Sequence, residues 1–129
     1  MGNELQVLGW SIVLGLVHVF TAAGFSTQQR GLQWNAGNRD GQAVPLSAAA
    51  ARAARANRNF LETFPLFAAA VLAVLLLNRA TPQTLLGAQI YFWARAVYLP
   101  VYIAGIPYLR TLVWAAALWG LVKVLAVLL

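Results

Sequence analysis

Arg55-Ala56-Asn57-Arg58-Asn59-Phe60-Leu61-Glu62 runs without a break into an apolar stretch that continues to Leu77. Arg55, Arg58, Asn59 and Glu62 stand at i, i+3, i+4 and i+7, so on a helix they share one face. At about 1.5 Å per residue that face spans about 10 Å. An acid one turn inside an apolar run is costly to bury without a partner or a task. Cations and an anion on one face at a membrane boundary point to a site for a small zwitterionic or anionic ligand.

Composition sets the solvent. Of 129 residues, 61% are hydrophobic and 9% charged, against roughly 25% charged in soluble domains. This is the composition of an integral membrane protein in one domain, residues 1–129. Nine Lys/Arg against three Asp/Glu give a net charge of +6. The positive residues flank apolar segments and form no basic surface, so nucleic acid is not the expected partner. The chain has no cysteine and a single histidine, His18. Disulfides, thiolate metal sites and a protein-borne thiol nucleophile are excluded, and no histidine cluster for a metal can form. Any thiol chemistry must use a thiol of the ligand.

Four apolar spans are expected, at 5–25, 48–78, 83–103 and 108–128, with a polar connector over 26–46. The first is read as a retained helix and not a signal peptide, because Glu4 stands where a signal would carry Lys or Arg and the run is too long. The connector holds Gly31, Asn35, Gly37, Asn38, Gly41 and Pro45 as turn formers, with Leu32 and Trp34 as interfacial anchors. Ser47 is a candidate N-cap for the second long helix. That helix should be about 45 Å long, more than the roughly 30 Å bilayer core, so its first turns project into water. Pro65 should kink it. Short turns at Asn78–Pro82 and Gly105–Pro107 make antiparallel neighbours. The fold class is therefore an all-α membrane protein, an antiparallel four-helix transmembrane bundle.

Orientation follows the Lys/Arg distribution. Arg30, Arg39, Arg52, Arg55, Arg58 and Arg110 lie on the connector side, and Arg79 and Lys123 on the other. The connector is expected in the cytoplasm, with both termini across the membrane.

Arg95 stands deep in the third span, where an arginine costs about 2.5–3.5 kcal/mol on insertion scales. Tyr98 and Tyr102 follow at i+3 and i+7 on its face. The least costly arrangement pairs Arg95 with Glu62 inside the bundle. Arg110 and Thr111 head the fourth span at a similar level, and together these groups would line a cytoplasmic-side pocket. Taken singly, Arg52, Arg55, Arg58 and Arg110 also fit positive-inside flanks, and the tyrosines an aromatic belt. His18 reads as a hydrogen-bonded bundle residue. Ala68-Ala69-Ala70 and Ala115-Ala116-Ala117 with Gly120 read as close helix packing.

The segment Arg55-Ala56-x-x-Asn59-x-x-Glu62-x-Phe64-Pro65-Leu66-Phe67 resembles the second-helix signature of the MAPEG family, membrane-associated proteins in eicosanoid and glutathione metabolism. Arg95-x-x-Tyr98-x-x-x-Tyr102 is similar to the third helix of its leukotriene-synthesising branch. Arg110 follows where that family has the arginine credited with stabilising the glutathione thiolate. The connector looks like that of small bacterial members, which implies a bacterial inner membrane. The resemblance implies four-helix subunits in a homotrimer, with glutathione bound between subunits on the cytoplasmic side. It implies that Arg55, Asn59, Glu62, Tyr98 and Tyr102 contact glutathione, together with Arg58, which matches the prostaglandin-synthesising branch, and Arg30. Arg95 would hold Glu62 in place. Thr111 stands where some members have Ser, and Trp114 in a region where some have Tyr.

On that resemblance, arginine forks would grip the carboxylates of glutathione. Arg110 would favour its thiolate, with Thr111 as a secondary donor. The substrate would be a lipophilic electrophile dissolved in membrane lipid, giving transferase or peroxidase activity. Two other classes fit the residues: a small four-span transporter, opposed by the arginines around Glu62, and a non-catalytic binding or assembly protein of the same fold.

Overall fold

The computed structural model describes residues 1–129. Five helices follow in order: α1 (Glu4–Arg30), α2 (Leu32–Ala36), α3 (Ala48–Leu76), α4 (Pro82–Ala104) and α5 (Pro107–Ala126). The count differs from the four expected because the connector folds a short helix of its own. The first long helix also runs five residues beyond 25, to Arg30. Gly31 ends it at φ 88, a conformation that glycine adopts without a side-chain penalty.

Each start has a local cause. The Asn3 side chain caps α1 by accepting from the Gln6 N–H. Ser47 caps α3, its hydroxyl accepting from Ala50 N–H at 3.3 Å, as expected. Thr81 and Thr84 form a reciprocal capping box at the start of α4 with Pro82 in the first turn, which satisfies two otherwise orphaned N–H groups. Gly105 closes α4 in the left-handed conformation, and Pro107 opens α5 at once. Helix α3 continues through Pro65, whose ring lies on an exposed position.

The long helices pack as antiparallel neighbours where the contacts can be followed. Between α3 and α4 the pairs Arg52–Ile103, Arg55–Tyr102, Asn59–Arg95 and Thr63–Tyr91 fall in reverse order along the two helices. Between α1 and α3 the pairs His18–Phe60 and Gln29–Ser47 do the same. The larger apolar core, with Val7, Phe67, Val71, Val74, Tyr91, Leu121 and Val124, lies away from the connector. There α4 and α5 touch backbone to backbone. A Cβ on Gly87 would sit 2.7 Å from the Gly120 carbonyl oxygen, and one on Gly120 would sit 2.5 Å from that of Gly87.

The burial pattern is that of a protein solvated by lipid. Phe20, Leu76, Leu112 and Trp119 are more than half exposed, while Ser11, His18, Thr84 and Arg95 are fully buried. In water this would place large apolar side chains in the wrong phase; in a bilayer the outside is the apolar side. Helices α1, α3 and α5 are long and apolar enough to cross a membrane. Helix α4, which carries Arg95 and three tyrosines, is not among them. The protein is an integral membrane protein.

Candidate functional site

The splayed end of the α4–α5 pair holds the site. The turn at Gly105 sends α5 back along α4, so Tyr98 and Tyr102 face Arg110, Thr111 and Trp114 across a gap. Asn59 of α3 forms the third wall. These six residues line a cavity of about 300 Å³. The Arg52 Nε donates to the Ile103 carbonyl at 2.9 Å, tying the first turns of α3 to the end of α4 and holding the walls in register.

The site is rich in guanidinium groups stacked on aromatic faces. The Arg110 guanidinium lies 4.6 Å from the centre of the Tyr102 ring, and that of Arg55 lies 5.8 Å from it. Arg55 Nε donates to the Tyr102 hydroxyl at 3.2 Å. Stacking on an aromatic face attracts a cation through the ring quadrupole and also fixes its plane. Arg110 thereby lines the cavity in a defined orientation while keeping its N–H donors available. Thr111 also lines it, but its hydroxyl donates to the Pro107 carbonyl at 3.2 Å. It presents lone pairs to the cavity, so the donor role expected of it requires that bond to be given up.

Behind this wall lies Arg95, fully buried. Its Nη1 donates to Asn59 Oδ1 at 2.8 Å, and its guanidinium stacks 4.3 Å from the Tyr98 ring and 5.4 Å from the Phe60 ring. The expected contact with Glu62 is not formed; Glu62 is exposed. The helix register explains the change. At this level of the bundle Asn59 and Thr63 are the α3 residues that face α4, through Arg95 and Tyr91. Glu62, at one position before Thr63, is rotated away by about 100°. His18 is also corrected. It is buried but stacks on Phe60 at 4.7 Å, and neither ring nitrogen has a hydrogen-bond partner.

Five of the expected site residues therefore share one cavity: Asn59, Tyr98, Tyr102, Arg110 and Thr111. Arg55 joins through Tyr102. Glu62 and Arg58 are exposed on the same helix, outside that lining. Arg30 is elsewhere. Its Nε donates to the Val44 carbonyl at 2.7 Å, and it lines a second cavity of about 330 Å³ with Asn35, Arg39 and Asn57. Asn57 stands two residues before Asn59, roughly 200° around the helix, so the two cavities lie on opposite sides of α3. Sequence reasoning passed over Asn57, whose Oδ1 is buried without a partner. Its signal was present, as a polar residue on the back of an otherwise apolar face. Trp114, one turn after Arg110, also lines the cavity, and in the sequence it stands out only against the Tyr that some members have in that region.

The MAPEG family model matches residues 7–129. The chain belongs to the MAPEG family. The match spans all four long helices apart from the first residues of α1, so the cavity is part of the MAPEG domain and not an appendage to it. No curated protein and no solved structure matches the chain. Membership of the MAPEG family agrees with the lipid-exposed apolar exterior.

Proposed function

We propose that this protein is a membrane-bound, glutathione-dependent transferase or peroxidase acting on lipophilic electrophiles. The observation that carries the reading is the convergence of Asn59, Tyr98, Tyr102 and Arg110 on one cavity, with Arg55 at its edge. The donor set fits a small peptide with two carboxylates. Arg55 would take a carboxylate, Asn59 and the tyrosines would hydrogen-bond the peptide, and Glu62 and Arg58 on the exposed continuation of the face would meet its charged end. Glutathione supplies a thiol, which is mostly protonated at neutral pH. Arg110 lowers the energy of the thiolate by charge and hydrogen bonding. Attack on an electrophilic carbon forms the carbon–sulfur bond and expels the leaving group with its electron pair, while the thiol proton passes to water. With a hydroperoxide, two thiols give a disulfide, an alcohol and water.

The assembly belongs to the same reading. Arg30 cannot reach the Asn59 cavity of its own chain, because α3 stands between them. In a ring of subunits the Arg30 face of one protomer would meet the Asn59 face of the next, in a homotrimer of four-span subunits. The connector would lie in the cytoplasm of a bacterial inner-membrane protein with both termini outside. Single cysteines at Asn38 and Gly2 in this cysteine-free chain should label from opposite sides of intact membranes. Labelling of both from one side would overturn that topology.

The deciding experiment is glutathione binding by the purified protein in mild detergent, with and without 1-chloro-2,4-dinitrobenzene or cumene hydroperoxide. Binding with turnover of either is expected. Binding without turnover of any electrophile would leave a non-catalytic member of the fold, and no binding would remove the reading.

A further inference from the structure

Two arginines touch the cavity wall, Arg95 from behind and Arg55 at its edge, and each occupies an acceptor. Arg95 Nη1 donates to Asn59 Oδ1. Arginine carries donors only, so the Asn59 amide oxygen must face Arg95 and its Nδ2 must face away. The arrangement repeats at Tyr102. Arg55 donates to that hydroxyl oxygen, which leaves the hydroxyl proton for a ligand. Arg110 can only donate. At Asn59 and Tyr102 an acceptor is occupied by an arginine and a donor is left for the cavity.

Part of the Arg95 guanidinium also lacks a direct partner. Arg95 is fully buried, and its Nε and Nη2 have no hydrogen-bond partner. A buried cation without a counter-ion is strongly unfavourable unless nearby groups offset it. The Tyr98 and Phe60 faces offset part of it. An anion or carbonyl at the Asn59 amide would polarise that amide further and offset more.

We infer that Arg95 is a positioning residue that locks Asn59 as an obligate donor, so that the cavity selects a ligand presenting a carboxylate or peptide carbonyl at Asn59. The inference rests on the reading of the cavity as a glutathione site, and it adds which groups of the tripeptide can stand there. A carboxylate or a carbonyl is accepted; the ammonium and the amide N–H are rejected, because both would face the Nδ2 donors. Arg95 acts through Asn59 and does not touch the ligand.

Two measurements test it. The first uses the ligand-free protein. Asn59→Asp places a carboxylate against Arg95, so its thermal midpoint should rise by a few degrees. The same variant should lose glutathione affinity by about a hundredfold or more, because the cavity now meets an acceptor that repels the ligand's own. A midpoint at or below that of the parent would overturn the lock. The second is a double-mutant cycle on glutathione affinity, by calorimetry in detergent. Arg95→Gln frees the amide to flip and should weaken binding about tenfold, the size of one lost hydrogen bond to a charged group. In an Asn59→Ala background the same change should have almost no effect, since nothing remains to position. Equal losses in both backgrounds would reduce Arg95 to a structural role and overturn the inference. If Arg95→Gln does not fold, Arg95→Lys keeps the charge and a donor and should retain most of the affinity; a loss as large as that of Asn59→Ala would count against the lock. Should the parent protein fail to bind glutathione, the ligand assignment falls, while a raised midpoint in Asn59→Asp still supports the lock.

Discussion

Helices α4 and α5 are one pair with two different ends. Away from the connector they meet at Gly87 and Gly120, so closely that a methyl group at either would strike the other's carbonyl oxygen. At the turn they part around a cavity of about 300 Å³ lined by tyrosines, an arginine and a tryptophan. The closed end is packed with small and apolar residues, and the open end is held by guanidinium stacks and long side-chain hydrogen bonds. Contact at one end gives rigidity to the gap at the other. A membrane bundle gains little from hiding apolar groups, because lipid is equally apolar, so backbone approach and interhelical polar contacts carry the association. In this pair the first device serves stability and the second serves the site.

The largest effect is expected where the helices touch. Gly120→Val has no space to enter, and the nearest atoms are the Gly87 oxygen and the Tyr91 nitrogen, both backbone. It should cost about 3 kcal/mol or more, at or beyond the top of the range for overpacked cores. Thermal unfolding in detergent should show a strongly lowered midpoint or no folded protein. A parental midpoint would mean that the closed end is not the clamp.

At the open end the next effect falls on chemistry. Arg110→Ala should lower turnover by about a hundredfold or more, the range for removing a group that stabilises developing negative charge. Glutathione affinity should change far less. The absorbance of bound thiolate, followed against pH, should show its titration moved upward. An unmoved titration would return Arg110 to the role of a positive-inside flank.

Arg55→Ala should separate binding from catalysis within the same wall. On the proposed reading its contact with a ligand carboxylate would be shared by the ground and transition states, so affinity should fall about tenfold with kcat little changed. The Tyr102 hydroxyl also loses its Arg55 donor. A drop in kcat equal to that of Arg110→Ala would show that the two arginines act as one unit.

Trp114→Ala is expected to be the mildest. The indole is partly exposed and lines the cavity without a hydrogen bond. Its loss should raise KM for a bulky electrophile by a few fold, in the range for changes in an apolar pocket of about 1–3 kcal/mol at most. Glutathione affinity should stay. A parallel loss of glutathione affinity would move Trp114 from the electrophile's side of the cavity to the peptide's.

The long helices and five of the six cavity-lining residues are legible in the sequence. Low charge with long apolar runs specifies lipid as the solvent, because no soluble core could absorb so much apolar surface. The i, i+3, i+4, i+7 spacing of Arg55 to Glu62 requires a shared face on any helix. Ser47 and Thr81-Pro82 mark helix starts by side-chain chemistry that acts within one turn. Tyr98, Tyr102 and Arg110 could be grouped because a tight turn joins their helices and leaves little freedom in their relative level.

What spacing could not decide was the rotation of one helix against another. Asn59 and Glu62 share one face of α3 in the sequence, and the formal charges favour Glu62 as the partner of Arg95. The α3–α4 packing turns Asn59 inward and leaves Glu62 exposed, so a neutral amide meets the buried cation. The same rotation sends Asn57 to a separate cavity behind α3, shared with Arg30 of α1, while the α4–α5 turn brings Trp114 into a wall of the first. These choices depend on contacts between residues tens of positions apart, whose energies are fixed only when all the helices pack together.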